Sequence, residues 1–111
     1  MPPFFENPLI PQIIMLNETQ DPEDTLVYHL PKVLDSSINT TISVEVSNLP
    51  KFVTFDNKTM ILTINYGRAN GYGSYYPTFK LTDSFGMSKD VNLLISLQAP
   101  IIVKKPEIII E

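Results

Sequence analysis

Two stretches of the chain alternate apolar and polar residues with a period of two. Tyr75, Pro77, Phe79 and Leu81 fall on one side of an extended backbone, and Tyr76, Thr78, Lys80 and Thr82 on the other. Val91, Leu93, Ile95 and Leu97 repeat the pattern, with Asp90, Asn92 and Ser96 on the outward side. Successive side chains of a strand point to opposite faces, so each run predicts a strand with one buried face. Asp83-Ser84-Phe85-Gly86 lies between them, an Asp-led turn in which Gly86 is free to take positive φ. Together the two runs and the turn predict a β-hairpin.

The same period recurs upstream. Leu26, Tyr28 and Leu30 alternate with Val27 and His29; Ile42, Val44 and Val46 with Thr41, Ser43 and Glu45; Met60, Leu62 and Ile64 with Ile61, Thr63 and Asn65. Asp56-Asn57-Lys58 supplies the turn before the third run. Ile10, Ile13, Met15 and their neighbours predict an opening strand, which Pro8 and Pro11 confine to a sheet edge because proline cannot donate to a ladder. Ten prolines punctuate the chain, and the long proline-free stretches, 51–76 and 78–99, carry strand periodicity. Long helices are thereby excluded. About seven short strands separated by turns predict an all-β, immunoglobulin-like or cadherin-like β-sandwich over residues 3–97.

Residues 98–111 are expected to form a linker and the start of a following repeat. Pro100-Ile101-Ile102 resembles Pro3-Phe4-Phe5, and Pro106-Glu107-Ile108-Ile109 echoes Pro11-Gln12-Ile13-Ile14. The alternative is an apolar tail that pairs with the domain's own sheet. A strand at Ile108–Ile110 could also add to the sheet edge of another copy, which predicts weak, concentration-dependent homodimerisation.

A length of 111 residues suits one domain with one core. The net charge is −4 and only eight residues are Lys or Arg, so a nucleic-acid partner is not expected. No apolar run approaches the roughly 20 residues of a bilayer span, and no direct membrane contact is expected of these residues. The absence of cysteine removes disulfide and thiol chemistry. Asn17-Glu18-Thr19, Asn39-Thr40-Thr41 and Asn57-Lys58-Thr59 are N-glycosylation sequons, a pointer to an extracellular glycoprotein with Asn17, Asn39 and Asn57 as acceptors.

Two segments resemble the dystroglycan-type cadherin-like domain, an immunoglobulin-like sandwich found in tandem on surface proteins. The first is Leu49-Pro50-Lys51-Phe52-Val53-Thr54-Phe55-Asp56, similar to that family's Leu-Pro-x-aromatic-Leu-x-Phe-Asp signature ahead of a Leu-bearing strand, here Leu62. The second is Gly73-Ser74-Tyr75 followed by Leu81-Thr82-Asp83-Ser84-Phe85-Gly86, similar to its Gly-x-Tyr start of a strand and its Thr-Asp-Ser-x-Gly turn. Phe52 stands where the family commonly has Trp. Leu49, Phe52 and Phe55 are expected to plug the core, Pro50 to fix the corner and Tyr75 to fill the space between sheets. Many family members carry an Asp-Pro-Asp-Gly-Asp loop; here Leu34 to Thr40 holds a single carboxylate, Asp35, too few for Ca²⁺, which takes six to eight oxygens. The resemblance implies a non-enzymatic cell-surface module for adhesion or spacing, with neighbouring repeats and surface proteins or glycans as partners.

The candidate chemistry is sparse. Glu18, Asp21, Glu23 and Asp24 form one acidic cluster, readable with Asp83 as a calcium site or as a solvated loop around Pro22. His29 is the only histidine and belongs to the outward side of its strand. No nucleophile, base and orienter are grouped, so no enzyme is expected and no cofactor beyond that calcium. The Gly- and Tyr-rich connection offers Tyr66, Arg68, Asn70, Tyr72 and Tyr76 as ligand contacts, because tyrosine presents a large rigid surface with one polar end. On that alternative the chain is a carbohydrate- or peptide-recognition module; a separate alternative makes it the accessory domain of a secreted hydrolase, with the catalysis elsewhere in the parent chain. The structural alternative is an ordinary strand connection in which Tyr75 is core.

Overall fold

The structure, a computed structural model, describes residues 2–17, 19, 21–35 and 40–99. These residues form β1 (Phe4–Phe5), β2 (Gln12–Met15), β3 (Leu26–His29), β4 (Val33–Leu34), β5 (Ser43–Ser47), β6 (Val53–Asp56), β7 (Ile61–Ile64), β8 (Gly73–Tyr75), β9 (Thr78–Thr82), β10 (Ser88–Asn92) and β11 (Ile95–Gln98). One 3-10 turn, Tyr66–Arg68, interrupts them. The residues expected to start another repeat or to pair with another copy, 100–111, lie outside the described ones, as does the sequon at Asn39.

The hairpin read from the alternation is present, and its arms are longer than any single strand. β9 pairs antiparallel with β10, Thr78 opposite Asn92, and β8 with β11, Tyr75 opposite Ile95. Three steps along the ladder separate those two pairs in both arms, so the register is unbroken. The interruption falls at Pro77, which has no N–H to give; its carbonyl still accepts from Leu93 N at 3.0 Å. β5 pairs with the β9 half of one arm, and β2 runs parallel to the β11 half of the other. The result is one sheet, β5–(β9/β8)–(β10/β11)–β2. Its β10 edge has no partner strand among the described residues, and Lys89 and Asp90 there discourage a foreign strand.

The second sheet is β3–β7–β6, extended by β1–β4 beyond Pro31. The opening chain thus changes sheets between β1 and β2, across Pro8 and Pro11. With each interrupted arm counted as one strand and β4 as the continuation of β3, the strands from β2 onward make the seven expected, and β1 is the part of the opening strand on the other sheet.

Between the sheets lie Leu62 and Ile64 of β7, Phe79 and Leu81 of β9, and Ile95 and Leu97 of β11, all essentially inaccessible. Fully burying one such side chain contributes about 1.5–3 kcal/mol. Phe79 meets Phe55 edge-to-face at 5.1 Å and Phe5 at 6.4 Å. One position differs from the sequence reading, and β2 shows which of its apolar residues face inward. On β2 the core residues are Ile14 and, just after it, Leu16, whereas Ile13 and Met15 are about half exposed. Ser96, on the outward face, is buried, with Gln98 Nε2 donating to its Oγ at 3.3 Å.

The sandwich has distinct ends. β3 runs from Leu26, opposite Ile64, to His29, opposite Ile61 next to the Asp56 turn, so β4 and β1 lie at that end. Asn57 Nδ2 donates to Val44 O at 3.5 Å, which ties the Asp56 turn to β5 near the Asp83 turn. β11 runs away from Asp83 to the opposite end. The first and last described strands therefore sit at opposite ends of the sandwich.

Candidate recognition site

At the end away from Asp83, the chain turns a corner into β6. Asn48 adopts the left-handed region at φ 59°, which Asn tolerates well, and Leu49-Pro50 follow. Val53 N donates to Pro50 O at 3.0 Å and closes the corner. Phe52 is driven inward, where it meets Tyr75 of β8 edge-to-face at 5.2 Å. Lys51, between Pro50 and Phe52, is left exposed.

The 3-10 turn forms the facing wall. Asn65 N donates to Phe52 O at 2.8 Å, and Arg68 N to Asn65 O at 3.0 Å. The turn is pressed against the loop at 21–25: Gly67 N donates to Asp24 O at 3.1 Å, and a Cβ on Gly67 would strike the Asp21 carbonyl. Only glycine permits that approach. Arg68 Nε reaches Pro22 O at 3.4 Å, and Thr25 Oγ1 donates to Asn65 Oδ1 at 3.1 Å.

Between corner and turn lies a groove of about 350 Å³ lined by Pro50, Lys51, Phe52, Asn65, Arg68, Asn70 and Tyr75. Two of the sequence candidates, Arg68 and Asn70, line it. Tyr66 packs half-buried against the core, while Tyr72 and Tyr76 are more than half exposed and lie outside the groove lining. Lys51 and Asn65 were not singled out from the sequence. The signal available for Lys51 was its place between a corner proline and a core aromatic, which forces it outward.

The acidic residues lie outside the groove lining. Asp21 Oδ1 accepts from Glu23 N at 2.9 Å, and Asp21 O accepts from Asp24 N, so this loop is a self-bonded turn around Pro22. Asp83 is at the opposite end, 5% exposed, with its Oδ1 accepting from Phe85 N and Met87 N, both at 2.9 Å. It is separated from the Asp21–Asp24 loop because it forms the tip of the long hairpin. Among the described residues no three His, Cys, Asp or Glu side chains gather where they could hold a metal ion; Glu18 lies outside the described residues. His29 is exposed, as its phase in β3 requires, and the sequon residues Asn17 and Asn57 are exposed. No described helix is long and apolar enough to cross a membrane.

No protein-family model matches the chain, and no curated protein matches it. Solved structures do. Two proposed α-galactosidases from Bacteroides fragilis superpose with a TM-score of 0.56 at 20% identity, over 87% of this chain. This chain spans only 18% of either of those proteins. The PKD domain of the protein KIAA 1837 superposes with a TM-score of 0.50 at 14% identity, over 89% of this chain and 88% of that domain. At these identities the likeness concerns the fold. The chain is an all-β, immunoglobulin-like sandwich.

Proposed function

We propose that this chain is a non-enzymatic module of a longer extracellular protein, of the dystroglycan-type cadherin-like kind, serving adhesion or spacing within a tandem array. The observation that carries the reading is the placement of the first and last strands at opposite ends of the sandwich. A chain that enters at one end and leaves at the other can be strung in line, and the prolines of the sequence that follows, Pro100 and Pro106, suit a linker over residues 98–111 that limits the bend between units. The likeness to a PKD domain over nearly the whole of both chains supports a self-contained unit. Two copies joined in tandem through residues 98–111 are expected to scatter X-rays as an extended rod close to twice the length of one copy. A folded-back, compact pair would overturn the spacer reading.

A second reading, the accessory domain of a secreted hydrolase, is favoured by the likeness to an 18% portion of the proposed α-galactosidases. On that reading a catalytic domain adjoins this one in the parent chain, and removing these residues lowers activity on polymeric substrate more than on a small glycoside. Equal losses on the two substrates would count against it.

A further inference from the structure

The groove between the Pro50 corner and the 3-10 turn is rich in donors and poor in acceptors. Lys51, Arg68, Asn65 and Asn70 bring ammonium, guanidinium and amide N–H groups, and no carboxylate lines the groove. The chain as a whole carries −4, so two cations facing one groove run against its overall charge. Neither is in an ion pair among the described residues; the bond of Arg68 Nε to Pro22 O leaves its terminal nitrogens uncommitted. Asn65 Oδ1, an acceptor beside these donors, lies 3.1 Å from Thr25 Oγ1, whose single proton is shared with Glu23 O. A ligand must therefore supply acceptors and negative charge. Tyr75, half-buried and braced edge-to-face by the core ring of Phe52, turns part of its ring to the groove, a surface that the slightly positive C–H face of a sugar ring covers. Two carboxamides beside it suit neighbouring hydroxyls, which both donate and accept.

We infer that this groove binds an anionic saccharide, a sugar ring bearing a carboxylate or sulfate, with the acid group between Lys51 and Arg68 and hydroxyls on Asn65 and Asn70. The volume of about 350 Å³ is at the low end of ligand pockets, roughly 300–1,000 Å³, and suits one or two rings. An acidic peptide side chain would meet the two cations but leave the amides and the Tyr75 ring unused. The inference is independent of the spacer reading, which holds whether or not the groove is filled.

The test is calorimetric titration of the whole chain with a galacturonate tetrasaccharide, a sulfated disaccharide, a neutral galactose tetrasaccharide and a tetraglutamate peptide. At least one acidic saccharide is expected to bind, at least about ten-fold more tightly than the neutral sugar or the peptide, and less tightly as salt is raised. The two acidic probes distinguish carboxylate from sulfate recognition. Lys51→Ala with Arg68→Ala is expected to weaken that binding by about ten-fold or more, while the thermal midpoint stays put because both side chains are exposed. Lys51→Glu alone gives the same loss by charge reversal and decides the matter should Arg68→Ala, which also gives up the Pro22 bond, disturb the turn. Binding of neither acidic saccharide, equal binding of the neutral sugar or the peptide, or undiminished binding by Lys51→Glu would each overturn the assignment.

Discussion

Two hairpins of this sandwich turn on the same device and stand in different surroundings. In the β9–β10 turn, Asp83 Oδ1 accepts from Phe85 N and Met87 N; in the β6–β7 turn, Asp56 Oδ1 accepts from Lys58 N at 2.9 Å and Thr59 N at 3.4 Å. Asp83 is 5% exposed, and its Oδ2 is buried with no hydrogen-bond partner among the described residues. Asp56 is exposed at its carboxyl, and the backbone N–H groups of Lys58 and Thr59 hold that carboxyl below the usual carboxylate range, with Lys58's charge a lesser contributor. The same contrast runs through the strands behind the turns: Phe79 is inaccessible and its edge-to-face partner Phe55 half-buried. The turn chemistry is alike in the two hairpins, one carboxylate oxygen on two backbone N–H groups, with the second bond longer at Asp56. What differs is the consequence of losing it, because water can replace a lost partner only where it can reach.

The comparison can be broken at several points, the core first. Phe79→Ala is expected to lower stability by about 3–5 kcal/mol in urea unfolding, the cost of a large core truncation with its cavity. Phe55→Ala should cost clearly less, and equal losses would show that the two hairpins share the core evenly. At the turns, Asp83→Ala removes two part-buried charge-assisted bonds, to Phe85 N and Met87 N, together with a buried side chain, and should cost about 2–3 kcal/mol. Asp56→Ala should shift the midpoint far less; a comparable shift would refute the claim that burial sets the stake.

Gly86 takes φ 85°, and nothing lies within 4 Å of where a Cβ on it would stand. Gly86→Ala should therefore cost about 1 kcal/mol in urea unfolding, through backbone strain alone. The smallest effect is the pH dependence of Asp56. Its folded pKa lies below the ordinary value of 3.8, so its charged form stabilises the fold above that value, and the contribution fades as pH falls through the folded pKa. The stability gap between the native chain and Asp56→Asn is therefore expected to close as pH is lowered below about 4. A gap unchanged by pH would mean that the carboxylate's charge does nothing there.

Period-two alternation located the long hairpin and the faces of β3, β5 and β7 correctly, since each has one face on the core. It was less informative for β2, where Ile13, Ile14, Met15 and Leu16 are all apolar and no polar residue marks the outward side. The aromatic plugs Phe52 and Tyr75 were legible from the Leu49-Pro50 corner and the Gly73-Ser74-Tyr75 segment. The groove was legible only in part. Arg68 and Asn70 stood out in a Gly- and Tyr-rich connection; Asn65 directly precedes it, read only as the end of the Met60–Ile64 run, and Lys51 lies in the earlier Pro50 corner, brought in by the Asn65–Phe52 backbone bond. Asp83 was placed in a turn correctly, and its separation from the Asp21–Asp24 loop could not be read without the topology.

The order of apolar and polar residues, with prolines at the corners, was enough by itself to determine an all-β chain, its main hairpin and most of its core, because strand periodicity and proline chemistry are local. Which strands became neighbours was decided by the tertiary structure: the parallel pairing of β2 with β11, the change of sheets between β1 and β2, and the meeting of Lys51 with Arg68 across one groove. Those pairings join residues far apart in the chain, and they form only where burying the shared core between two sheets outweighs the entropy of closing the intervening loops.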